Sequence, residues 1–155
     1  MKTYSKIGAT LLLAIVLILT GTSCKSNSNN NNPLLGKWEQ VYDQDGLTLT
    51  ASYDFKESGD VKQKVKLKTA QLEIDVEGTA KYNYSGDSIT FKFTPEDIKF
   101  NKVEAPGLSE EQIEIVKEMA LSQLADRASV LSNVKISGKT LTGNYNGEEI
   151  TMTKE

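Results

Sequence analysis

From Leu34 onward the chain alternates apolar and polar residues with a period of two, the pattern of strands with one buried face. Trp38, Gln40 and Tyr42 share one face of a first run, and Asp45-Gly46 signals a tight turn. Leu47, Leu49, Ala51, Tyr53 and Phe55 then alternate with Thr48, Thr50, Ser52 and Asp54, up to a turn at Glu57-Ser58-Gly59-Asp60. Beyond Ser85-Gly86-Asp87, Ile89, Phe91 and Phe93 form one apolar face, and Ile98 and Phe100 a shorter one after Thr94-Pro95. Val130, Val134 and Ile136 lead to Ser137-Gly138. Leu141, Gly143 and Tyr145 lead to the hairpin signal Asn146-Gly147, and Ile150 and Met152 close the pattern.

Between these lies the clearest pair. Val61, Gln63, Val65 and Leu67 alternate with Lys62, Lys64, Lys66 and Lys68; Leu72, Ile74, Val76, Gly78, Ala80, Tyr82 and Tyr84 alternate with Glu73, Asp75, Glu77 and Lys81. A hairpin tipped at Ala70-Gln71 sets Lys68 opposite Glu73, Lys66 opposite Asp75 and Lys64 opposite Glu77. The same register sets Leu67 opposite Ile74 and Val65 opposite Val76. Both faces thus agree on one register, as an antiparallel pair requires. The facing carboxylates also weaken an anion-binding reading of the lysine row.

One segment breaks the period. Ser109 to about Ala128 reads as a helix, with Ser109 and Gln112 forming a capping box, Leu108 and Ile113 a hydrophobic staple, and Ile113, Val116, Ala120 and Leu124 one stripe. It is expected to pack on the sheet or over a barrel mouth. The fold class is therefore mainly β: an antiparallel up-and-down β-barrel or strongly curved meander of about eight or nine strands, with one α-helix before the last strands. Closure would remove exposed edges, but periodicity alone does not separate a barrel from an open sheet.

The N-terminus follows a different pattern. Lys2 and Lys6 precede an apolar run from Ile7 to Leu19, then Thr20-Gly21-Thr22-Ser23 and the single cysteine, Cys24. The run is shorter than the roughly 20 residues of a spanning helix. This layout resembles a bacterial lipoprotein signal peptide, with Gly21 where that family usually has leucine. The resemblance implies cleavage before Cys24 and acylation of its sulfur and new N-terminus, which anchors the protein to a membrane. An ordinary secretory signal with a coincidental cysteine explains the exposed thiol less well. Residues 1–23 are thus expected to be a signal peptide, residues 24–33 an acylated, asparagine-rich tether and residues 34–155 the folded domain.

Charge and composition narrow the chemistry. Removal of residues 1–23 takes away Lys2 and Lys6 and no acid, so the formal charge moves from −3 to −5. A mildly acidic chain makes nucleic acid an unsuitable partner. With no histidine, Ser-His-Asp and Cys-His systems and His-ligated zinc are excluded. No spacing resembles a calcium loop, a phosphate loop or a nucleophile elbow. The expectation is a protein without catalytic residues, metal or cofactor.

Leu35-Gly36-Lys37-Trp38 resembles the Gly-x-Trp start of lipocalins. Tyr53-x-Phe55 with Gly59, and the turns Gly86-Asp87-Ser88-Ile89 and Gly138-Lys139-Thr140-Leu141, are similar to those of small lipocalin-like lipoproteins of Gram-negative bacteria. The likeness covers roughly residues 34–155. It implies that Gly36 and Trp38 belong to the motif that closes one end of a barrel, with a late arginine across the tryptophan. The chain departs from that pattern: its only arginine is Arg127, at the helix end, and the helix precedes the last three strands rather than following the eighth.

Two functions follow. The first is a membrane-anchored protein binding a small apolar or amphipathic ligand inside the barrel. Gln40, Tyr42, Tyr53, Gln63, Tyr82 and Tyr84 supply polar handles on an apolar inward face, and the small Gly78 and Ala80 favour space. The same tyrosines would equally fill a narrow barrel. The second is an envelope lipoprotein with a filled barrel that binds a protein partner of unknown identity through its surface, for example through Glu110-Glu111-Gln112-x-Glu114. Lys25 stands where the retention signal of similar inner-membrane lipoproteins of enteric bacteria has aspartate, and the tether lacks the acidic cluster of some surface-exported ones; the resemblance therefore implies the outer membrane, facing the periplasm.

Overall fold

The computed structural model describes residues 32–125 and 128–155. The segment expected to be a signal peptide, Cys24 and the expected tether up to residue 31 lie outside the described residues, as does Arg127. Nine strands form: β1 (Gly36–Gln44), β2 (Leu47–Phe55), β3 (Asp60–Lys68), β4 (Glu73–Tyr84), β5 (Ile89–Phe93), β6 (Lys99–Glu104), β7 (Ala128–Ser137), β8 (Thr140–Tyr145) and β9 (Glu148–Lys154). One helix, α1 (Glu110–Ala125), stands between β6 and β7. All pairings are antiparallel.

Eight strands close on themselves in the order β1-β2-β3-β4-β5-β7-β8-β9, with β9 returning to β1. Among the described residues the architecture is a lipocalin-like β-barrel with one extra strand and a single α-helix. Asp45 and Gly46 adopt φ of 54° and 77°, and Asn146 and Gly147 φ of 49° and 88°. These are the left-handed conformations a two-residue hairpin demands and the reason these residue pairs mark the turns.

The extra strand arises from a break. β5 pairs with the C-terminal half of β4, Ala80 to Tyr84, and β6 with its N-terminal half, Glu73 to Glu77. A short 3-10 turn, Pro95–Asp97, joins them. Thus β5 and β6 run along one edge of β4 as a single interrupted strand. Gly78 marks the break: a Cβ there would lie 3.4 Å from both the Asp97 carbonyl oxygen and Ile98 Cγ1.

The β3–β4 register is the one the alternation predicts, from Lys68 opposite Glu73 to Asp60 opposite Lys81. Asp60 and Lys81, which face each other directly, form an ion pair, but nearer the hairpin tip the pairs are not the facing ones. Lys64 reaches diagonally to Asp75 at 3.5 Å, and Glu73 is taken by Lys102 of β6 at 3.0 Å. Twist carries opposed long side chains past one another, and a third strand supplies a nearer cation.

The capping box forms as expected. The Ser109 amide donates to Gln112 Oε1 at 2.9 Å, and the Gln112 amide to Ser109 Oγ at 3.3 Å. The helix ends at Ala125 rather than near Ala128, because β7 already begins at Ala128, paired with Lys92. Its main contact is with the 3-10 turn, and Ile115 and Met119 remain exposed.

Candidate functional site

One end of the barrel is solid. Leu34, Trp38, Val61, Ile89 and Leu141 are fully buried there, with Phe55 beside them. The Trp38 indole donates to the Leu34 carbonyl at 2.7 Å. The resemblance to lipocalins implies an arginine across this ring; a lysine does the work instead. Lys154, opposite Trp38 on β9, holds its Nζ 5.3 Å from the ring centroid and donates to the Pro33 carbonyl at 3.2 Å. Gly36 is required by its backbone rather than by space. Its φ is 104°, and a Cβ would stand 3.4 Å from Lys154 Cε. Neither composition nor spacing singled out Lys154; its inward parity with Ile150 and Met152 was the available signal.

Above this plug the barrel is hollow. A cavity of about 330 Å³ opens between β1, β2, β3, β5, β7, β8 and β9, all lining positions on β1 to β8 being inward ones. Its apolar walls come from Leu47, Leu49, Ala51, Val65, Phe91, Phe93, Leu131, Ile150 and Met152. Its polar atoms come from Gln40, Tyr42, Tyr53, Gln63, Ser129 and Tyr145, with the exposed Glu148 and Glu149 at the rim. Tyr53 and Gln63 stand directly opposite one another in the β2–β3 register. Tyr53 also stacks beside Phe55 and approaches Phe91, both at 6.3 Å between centroids. Burial pushes the Tyr53 hydroxyl up to about 12.

Four of the six residues expected to line a pocket, Gln40, Tyr42, Tyr53 and Gln63, meet at this cavity. Tyr82 and Tyr84 do not. The Tyr82 hydroxyl donates to the Lys56 carbonyl and accepts from Asn32 Nδ2, both at 3.0 Å, while its ring packs edge-on to Phe55. The Tyr84 hydroxyl donates to the Gly86 carbonyl at 3.0 Å. Both serve the closed end, where burial raises their hydroxyls above the usual range. Asn32 and Pro33, expected in the tether, are thereby held by the barrel.

The small residues also act otherwise than expected. Gly78 leaves no space, since the 3-10 turn occupies it, and Ala80 is buried in the core. The room comes instead from Ala51 on β2 and from β4, which contributes no lining side chain. Pairing partners across strands decide this, so the one-strand pattern concealed it. Ser129 and Tyr145 were missed because a serine before a valine and a tyrosine before a turn carry no distinctive signal.

A larger groove of about 530 Å³ runs over outward positions of β1 to β4, between Lys37, Asp54, Lys62, Lys64, Glu77 and Lys99. It carries both signs of charge, whereas the interior cavity offers the mainly apolar walls of a ligand site. Among the described residues, no three acidic side chains converge to hold a metal ion. No family model matches the chain, and a search of curated proteins returns no match.

Proposed function

We propose that this protein is a lipid-anchored, lipocalin-like binding protein whose barrel interior holds a small apolar or amphipathic molecule. The observation that carries this reading is the cavity, walled by nine apolar residues with a few polar groups converging on it. The closed end supports it too, since the Trp38 plug stiffens one end and leaves the other open. In this reading Cys24 is acylated, and the chain faces the periplasm from the outer membrane. The function requires no catalytic residue or cofactor.

Two measurements test it. Native mass spectrometry of the mature chain from residue 24, carrying Cys24→Ser, should show a bound mass that organic extraction removes. A clean mass under gentle purification, with no uptake of added apolar probes, counts against the carrier. Radiolabelled palmitate should enter the full-length protein and not its Cys24→Ala variant; equal labelling would sink the anchor.

The exposed Leu108, Ile115 and Met119 favour a second reading, a protein partner docked on the helix. Cross-linking from position 115 to one defined envelope protein would support it.

A further inference from the structure

We infer that the cavity takes an uncharged amphipathic molecule and rejects its anionic analogue. This rests on the ligand-binding reading above and narrows it. Among the described residues every charged group at the site is a carboxylate, Glu148 or Glu149, and both stand at the rim; the groups further inside are amides and hydroxyls. The lysines of β3 occupy outward positions and face away from the interior. An anion entering the barrel would lose its water and find no cation among the described lining residues to replace it. A neutral hydroxyl, amide or carbonyl finds Tyr53 and Gln63, which together offer both donors and acceptors. The size agrees with a compact molecule. About 330 Å³ equals the share of about eleven waters in the liquid, far less than a two-chain lipid needs.

The test uses a matched pair of fluorescent probes, N-phenyl-1-naphthylamine and its sulfonated counterpart 8-anilino-1-naphthalenesulfonate, with the mature chain carrying Cys24→Ser. Affinity is taken as the part lost in Ala51→Phe, which fills the cavity, so that binding elsewhere is not counted. The neutral probe should bind at least about tenfold more tightly than the sulfonate. Gln40→Arg, which places a cation in the lining, should raise sulfonate affinity by about tenfold and leave the neutral probe little changed. Equal affinities in the unaltered protein would overturn the proposal and leave cavity binding intact. If neither probe shows binding sensitive to Ala51→Phe, the ligand-binding reading fails and this inference with it.

Discussion

The two ends of the barrel are built from the same strands and the same alternation, yet one is packed solid and the other is hollow. At the closed end aromatic rings from different strands meet: Phe55 lies 5.0 Å from Tyr82 edge-to-face and 6.1 Å from Phe91. Trp38 is sealed between Leu34 and Lys154. At the open end the inward positions hold Gln40, Leu49, Ala51 and Val65, whose volumes do not reach across the barrel. The difference shows that inward polarity pattern sets which residues face the interior, while side-chain volume at each level sets whether that interior is filled.

Substitutions at the two ends should therefore differ in cost. Trp38→Ala should have the largest effect, about 3–5 kcal/mol in denaturant unfolding, because it removes the plug and orphans the Leu34 carbonyl. Leu141→Ala, at a fully buried position of the closed end, should cost about 2–5 kcal/mol, whereas Leu49→Ala beside the existing cavity should cost about 1 kcal/mol. Equal losses at the two leucines would erase the distinction between a packed and a hollow end.

Tyr53 sits on the border and gives a pH signature. Its hydroxyl ionises near 10 in the unfolded chain and near 12 in the barrel. Unfolding therefore releases a proton as pH rises between those values, and stability falls, by up to about 2–3 kcal/mol. Tyr53→Phe should flatten that alkaline slope in urea unfolding followed against pH; an unchanged slope would mean the hydroxyl is solvated. The smallest effect belongs to Lys154→Met, which keeps the stem over Trp38 and loses the cation. A stability loss of about 0.5–1 kcal/mol is expected, compared by thermal unfolding with the parent protein.

Much of the architecture was legible in the chain. The strands, the two left-handed turns at Asp45-Gly46 and Asn146-Gly147, the capping box and the β3–β4 register are local properties. Each follows from a few neighbouring residues whose side chains alternate or whose backbone tolerates positive φ. Part of the candidate site was legible for the same reason, since Gln40, Tyr42, Tyr53 and Gln63 all occupy inward positions. Tyr82 and Tyr84 have the same parity but stand at the other end of the barrel, and height along a strand is not encoded in parity. Likewise, Gly78 reads as empty space until the 3-10 turn is seen against it.

By itself, the sequence determined which residues face inward, where the chain turns and how β3 pairs with β4, because these are set by backbone geometry over a few residues. Only the tertiary structure decided the rest. It closed β9 onto β1, split one strand into β5 and β6 across the edge of β4, and placed Lys154 over Trp38. It also left a cavity where inward side chains from seven strands fall short of one another. Those outcomes depend on contacts between residues far apart in the chain and on the volume they jointly fill, which no local pattern records.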